Sequence, residues 1–409
     1  MRLTQQAAIE HRIAGALLGV AAGDALGATV EFASPEQIAR RFPAGHREIV
    51  GGGPFGWRPG QGTDDTDLTM ALVRAYLAPE GFSLERAAEE FLAWFDAGPR
   101  DVGGTTAAAL AAYRRDRDLA TCGQRHERSA ANGSLMRCIA TGLVRADAGL
   151  RRREAAAISR ITHAERRCVE SCVAYCDLVS ALLDGMPPRS AVAWVAEHAP
   201  VSDDVRAVIA DAPAAAIDTL PTTGYVFDAL RAAVWALCQP TAPEDTLVAV
   251  VARGGDADTV GAVVGGLLGA AHGADGLPAR WVQRLEYAPE IAAAVPRLAA
   301  LRTGATPHRR LWRLDAARPA PAPRPARQLP GRLVTVDCDG TLFDSWACCG
   351  KRAASWEGDP GCAHLRGDVL DDARRLAAAH DAGLAVLSWR PGADAVTRRW
   401  LARVGLDEE

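Results

Sequence analysis

The chain has 409 residues, of which 49% are hydrophobic, 23% charged and only 6% aromatic. That composition excludes disorder over most of the length and asks for a core of Ala, Val and Leu, which suits close-packed helices better than stacked sheets. A formal net charge of −4 gives no global electrostatic case for a nucleic-acid binder. The longest apolar run, Val260 to Ala271, is shorter than the roughly 20 residues a membrane helix needs.

In chain order, the first helix is expected from Thr4, with Ile9, Ile13, Leu17 and Val20 on one face. Ile13 to Gly23 has the length of a signal-peptide core, but Glu10 and Asp24 flank it and its spacing stays helical, so it reads as part of that helix. Further helices are expected around Leu68, Leu72 and Tyr76, then over 84–95, 107–113, 168–183, 225–237 and 260–271. Cys168, Cys172 and Cys176 fall on one face of a helix and read as small core residues in a reducing, cytoplasmic setting. Strand-like alternation is scarce before residue 300, so residues 1–305 read as one all-helical domain. Residues 306–331 contain alternating prolines from Pro319 to Pro325 and read as a semi-rigid linker. In residues 332–409, strands over 333–336 and 384–387 flank a helix carrying Val369, Leu370, Ala373 and Leu376, the order of a small α/β unit.

Two segments nearly 200 residues apart are alike: Gly62-Thr63-Asp64-Asp65-Thr66 and Gly255-Asp256-Ala257-Asp258-Thr259 each open a helix. Capping would use one acid per helix start, whereas each of these carries two beside a Gly-rich turn. Clustered carboxylates repel unless a cation joins them, and an all-oxygen donor set points to Mg²⁺, Mn²⁺ or Ca²⁺ rather than zinc. Capping and metal binding both stay open on these residues alone.

The string from Gly15 to Glu31, Gly-Ala-Leu-Leu-Gly-Val-Ala-Ala-Gly-Asp-Ala-Leu-Gly-Ala-Thr-Val-Glu, resembles the opening of the ADP-ribosylglycohydrolases. The two acidic segments resemble that family's metal motifs. Ala131-Asn132-Gly133-Ser134-Leu-Met-Arg137 resembles its substrate loop, Ile161-Thr162-His163 its Thr-His motif, and Gly224-Tyr225-Val-Phe-Asp228 a further helix start. The resemblance implies an all-helical domain holding two Mg²⁺ or Mn²⁺ ions on Thr63, Asp64, Asp65, Asp256, Asp258 and Thr259. It implies catalytic roles for Glu31, Asp65 and Asp258, and an ADP-ribose channel lined by Asn132, Gly133, Ser134, His163 and Tyr225. The reaction implied is hydrolysis at the distal-ribose C1 of an ADP-ribosylated protein, nucleic acid or small molecule, through an oxocarbenium-like state. Because the pyrophosphate is anionic and the acids are many, cations between them are a physical requirement of that reading. Phe55 or Trp57 is a candidate adenine stacker, against plain loop packing.

Downstream, Asp337-Cys-Asp339-Gly-Thr-Leu-Phe-Asp344 and Ser388-Trp-Arg390-Pro resemble the first two motifs of the haloacid-dehalogenase phosphatases. That makes Asp337, Asp339 and Ser388 a possible second site in an incomplete α/β domain, since the sequence ends before a third-motif Lys. Cys348, Cys349, Cys362 and His364 form a nonstandard candidate for zinc. Two alternatives to the hydrolase stay open at this point: a phosphatase acting on nucleotide or nucleic-acid ends, and a non-catalytic ADP-ribose-binding module.

Overall fold

Residues 2–304 and the strands 332–337 and 382–387 are described by the computed structural model. Two compact units divide the chain, Met1–Arg318 and Pro319–Glu409. The described part of the first is helical throughout: α1 (Arg2–Gly27), α2 (Pro35–Arg41), α3 (Asp64–Tyr76), α4 (Leu84–Asp96), α5 (Gly104–Asp116), α6 (Ile139–Val144), α7 (Ala148–Arg160) and α8 (Arg166–Leu183). There follow α9 (Pro188–His198), α10 (Asp203–Asp211), α11 (Val226–Leu237), α12 (Pro243–Val251), α13 (Ala257–His272), α14 (Ala279–Val282) and α15 (Ala288–Arg302). Each helix expected from the sequence before residue 300 is present, with ends moved by a few residues. The first begins at Arg2, not Thr4, and Tyr225 stands just outside α11 as its N-cap.

The centre of the unit is an antiparallel pair, α1 against α13, whose backbones touch. Gly15, Gly19, Gly23 and Gly27 recur every four residues and so share one helix face. They meet Gly269, Gly265, Gly261 and Ala257 in reverse order. A Cβ on Gly19 would lie 2.1 Å from the Gly265 carbonyl oxygen, one on Gly23 1.9 Å from that of Gly261, and one on Gly27 2.1 Å from that of Ala257. Glycine costs about 1 kcal/mol per helical position relative to alanine. Here that loss is exchanged for contact along the whole seam, and the C-terminal end of α1 is pinned against the N-terminus of α13. Both ends carry acids.

Around this pair, Leu, Val and Ala fill the core together with Met70, Phe91, Tyr175 and Trp281. Cys168, Cys172 and Cys176 are buried on α8, as the spacing predicts. Their thiols reach the Ala131 carbonyl (3.2 Å), Ser134 Oγ (3.4 Å) and the Cys138 carbonyl (3.2 Å), so this face backs the 131–138 segment. Among the described residues no helix is long and apolar enough to cross a membrane.

In the second unit, β1 (Arg332–Asp337) and β2 (Ala382–Leu387) pair in parallel, from Arg332 opposite Ala382 to Asp337 opposite Leu387. The expected linker over 306–331, the helix around 369–376, the Cys348, Cys349, Cys362 and His364 group, and the side chains of Asp337, Asp339 and Ser388 lie outside the described residues. The phosphatase-like domain has no further support here.

Candidate active site

Seven carboxylates converge where α1 ends, α3 begins and α13 begins: Asp24, Glu31, Asp64, Asp65, Asp101, Asp256 and Asp258. The helix starts show what the acids are for. Thr63 is the N-cap of α3, its hydroxyl accepting from the Asp65 N–H. A second cap comes from another helix: Asp24 Oδ2 accepts from the backbone N–H of Thr63 (3.0 Å) and Thr66 (3.1 Å) and from the Thr66 hydroxyl. Orphan donors at this terminus are therefore served without Asp64. At α13 the N-cap residue Asp256 makes no side-chain cap bond. Its Oδ2 instead accepts from Asn132 Nδ2 at 2.6 Å. Capping alone thus leaves most of these acids unexplained.

The two acidic motifs meet at Asp65, whose Oδ2 accepts from the Thr63 hydroxyl and from the Thr259 hydroxyl, each at 3.2 Å. Carboxylate oxygens of Glu31, Asp101 and Asp258 lie within 4.8 Å of one another. Such crowding is written into the acidities. Burial, then the charges of Asp101, Asp256 and Asp24, pushes Glu31 up to about 8. Burial pushes Asp24 to about 7 against the hydrogen bonds from Thr66 and Thr63. Asp64, Asp65 and Asp258 are raised well above the carboxylate range, by burial first and then by a neighbouring acid, Asp101 foremost for Asp64, Asp64 for Asp65 and Asp256 for Asp258. Asp256 and Asp101 move the same way through burial.

Buried oxygens without a hydrogen-bond partner remain on Asp24 (Oδ1), Glu31 (Oε2) and Asp65 (Oδ1). Each such atom costs energy unless something electropositive meets it. An all-oxygen set of mutually repelling acids with spare lone pairs fits hard divalent cations.

Two interlocked turns place the acids. Phe32 N–H donates to the Gly255 carbonyl (2.7 Å) and Gly255 N–H to the Ala33 carbonyl (3.1 Å), which locks the turn bearing Glu31 to the turn bearing Asp256. Gly254 sits at φ 68°, and a Cβ there would lie 1.9 Å from the Ala33 oxygen. Only glycine fits such a position.

The loop Asn132–Ser134 is a 3₁₀ turn beside Asp256. Its neighbour is the segment before α11: Asn132 N–H donates to the Gly224 carbonyl and Val226 N–H to that of Ala130, both at 3.0 Å. Tyr225 is thereby set next to Asn132, half-buried, with the Arg167 guanidinium 5.6 Å over its ring. His163 is placed differently from an open channel wall. It is 1% exposed, burial lowers it to about 3, and it presses on Gly133, where a Cβ would lie 2.9 Å from its Cε1. It supports the loop from beneath, in the neutral form. Trp57 is 7% exposed within a tight loop closed by reciprocal bonds to Gly52.

Three participants escaped the sequence reading. Asp24 sits inside the quoted opening string with nothing in its spacing to mark it as a cap for another helix. Asp101 stands alone in the turn between α4 and α5, where a single acid carries no pattern. Arg137, fully buried and lowered to about 10 by burial, donates to the Gly133 carbonyl (2.7 Å) and to Thr162 Oγ1. It holds the loop and is a cation close to Asp64.

A model of the ADP-ribosylglycohydrolase family matches residues 5–308. Over 288 residues the chain is 32% identical to the ADP-ribosyl-[dinitrogen reductase] glycohydrolase of Rhodospirillum rubrum, covering 68% of this chain and 91% of that one. Over 300 residues it is 29% identical to the ADP-ribosylarginine hydrolase Tri1 of Pseudomonas putida (strain GB-1), covering 71% and 78% respectively. A solved structure described as an ADP-ribosylglycohydrolase-related protein complex superposes with a TM-score of 0.61 at 32% identity, over 72% of this chain and 98% of that one.

Proposed function

Because the chain belongs to the ADP-ribosylglycohydrolase family, we propose that it hydrolyses the bond between the distal-ribose C1 of an ADP-ribosyl group and an arginine side chain of a protein, with two Mg²⁺ or Mn²⁺ ions as cofactors. The observation that carries the metal dependence is the acid cluster, buried, mutually repelling and left with three unpartnered oxygens. Thr63, Asp64, Asp65, Asp256, Asp258 and Thr259 would hold the cations, with Glu31 and Asp101 beside them. When bound, such ions neutralise the acids, orient ribose hydroxyls and lower the pKa of a water. The arginine acceptor is supported by the names of two relatives, the ADP-ribosylarginine hydrolases of Pseudomonas putida and Serratia proteamaculans. A protein acceptor is supported by that of the Rhodospirillum rubrum relative.

The other residues divide the work. Asn132, held to Asp256, and the backbone of Gly133 and Ser134 line the pyrophosphate side, with the loop fixed by Arg137 and His163 from below. Tyr225 offers an aromatic face to a ribose. Glu31, at the rim of the cluster, is placed to move a proton at the leaving nitrogen as the C–N bond breaks toward an oxocarbenium-like state. Asp24 is a positioning residue, tying α1 to the start of α3.

The test is chromatographic detection of free ADP-ribose from arginine-linked and serine-linked ADP-ribosyl substrates, with Mg²⁺ and with EDTA. Release from the arginine linkage that needs the cation is expected. Release from serine alone, or none from either, overturns the assignment.

A further inference from the structure

Outside the acid cluster, the turn Ala28–Phe32 and the loop Gly51–Trp57 enclose an open groove of about 560 Å³ that shares Glu31 as a wall. Its other end is formed by α2. Gly53, at φ 70°, closes the wall: a Cβ there would lie 1.9 Å from the Ala28 oxygen, so only glycine lets the loop reach the turn.

The groove has two unlike ends. Next to Glu31, Phe32 is 66% exposed and sits at φ 59°, a conformation that strains a bulky residue. Its N–H bond to Gly255 holds the strain in place, and Phe55 meets it edge-on at 6.4 Å between ring centroids. An exposed, strained phenylalanine beside the candidate proton-transfer group is costly unless a ligand uses it. At the far end, Arg41 Nη1 donates to the Thr29 carbonyl at 3.0 Å and the guanidinium lies 5.0 Å over the Phe42 ring. Among the described residues no carboxylate forms an ion pair with it, unlike Arg47, Arg58, Arg74 and Arg114, each of which holds one. Arg41 is thus a pre-positioned cation with donors to spare.

We propose that this groove receives the polypeptide around the modified arginine, making the enzyme selective for protein-linked over free ADP-ribosylarginine. The inference rests on the hydrolase reading and extends it to the acceptor. If the ADP-ribosyl group lies against the acid cluster and the Asn132 loop, Glu31 marks the scissile bond and the leaving group emerges on the groove side. Phe32, which lines the groove, presents an apolar face to a guanidine and its methylene stem, an arrangement that aromatic rings favour. The remaining volume matches sites that take ligands of several residues' bulk. Arg41 then donates to a backbone carbonyl or a carboxylate of the same polypeptide.

The experiment compares kcat/KM for free ADP-ribosylarginine with that for a protein mono-ADP-ribosylated on arginine, using the full chain and its Arg41→Glu and Arg41→Lys variants. Wild type should prefer the protein substrate. Arg41→Glu should cut that preference about tenfold, through KM for the protein rather than kcat, and Arg41→Lys should restore part of it. Equal loss on both substrates means that Arg41 only supports the fold, and an unchanged preference means that the groove is not used; either overturns the proposal. Cleavage of free ADP-ribosylarginine without a protein preference sinks the groove alone, whereas cleavage of neither substrate sinks the hydrolase reading beneath it.

Discussion

Replacing Gly23 by alanine adds one methyl group to the seam between α1 and α13, and the geometry sets what that costs. The new Cβ would start 1.9 Å from the Gly261 carbonyl oxygen, so the helices must part by about 1.5 Å to reach ordinary contact. Overpacking costs about 1–3 kcal/mol when side chains can adjust. Here the obstacle is backbone, which has no rotamer to change, so the upper end applies. Alanine's better helix propensity returns about 1 kcal/mol, leaving a net loss of about 2 kcal/mol, or about 3 °C in thermal midpoint for a domain of this size. The functional cost is larger. Asp24 follows Gly23 directly and Glu31 lies beyond it, so parting the seam moves both away from Asp256 and Asp258. Misplacement of about 1 Å in a catalytic group commonly costs about 10²-fold in rate. The assay is differential scanning fluorimetry with ADP-ribose release, with Gly104→Ala as control, because a Cβ at Gly104 meets nothing within 4 Å. If Gly23→Ala melts at or above the wild-type temperature and turns over normally, the seam does not position the site.

Asp258→Asn should abolish turnover and weaken Mn²⁺ binding by calorimetry, while leaving the midpoint in EDTA unchanged or higher because one repelling acid is gone; wild-type turnover contradicts this. Glu31→Gln should lower kcat at least tenfold, about 1.4 kcal/mol of transition-state stabilisation, without changing the urea midpoint. A large drop in midpoint with normal activity per folded molecule assigns Glu31 to structure instead. In EDTA, Asp24 near 7 and Glu31 near 8 hold protons that their unfolded counterparts release at about 4. The folded chain then binds more protons than the unfolded one, so stability must fall as pH rises from about 4 to 8, and saturating Mg²⁺ should remove that slope. Urea midpoints that are flat with pH in EDTA refute the repulsion.

Strong periodicity made α1, α3, α4, α8 and α13 legible, since their apolar faces recur at helical spacing without interruption. The helices left unread have physical reasons for their silence. α7 carries Arg151, Arg152 and Arg153 in succession, and Arg151 is buried against Asp177 at 2.8 Å, so a core position looks like surface in the sequence. α15 contains Pro296, a helix breaker by rule. The two Asp-rich motifs were readable because the same pairing of two acids with a Gly-rich turn opens two helices nearly 200 residues apart. Asp24 and Asp101 were not, because each acts on elements distant in sequence, and nothing in the quoted loop motif showed that Arg137 is buried to hold that loop from within. The four-residue glycine repeats on α1 and α13 were present in the sequence as a packing signal. Their meaning appears only when the two are seen antiparallel.

The most direct test of the account removes divalent cations from the purified chain with EDTA and follows ADP-ribose release from ADP-ribosylarginine as Mg²⁺ is returned. The acid cluster predicts no turnover in the chelated protein and full recovery as the cation saturates the site. Undiminished release in the cation-free protein would contradict the central claim, that these carboxylates are held together to bind metal for glycosidic cleavage.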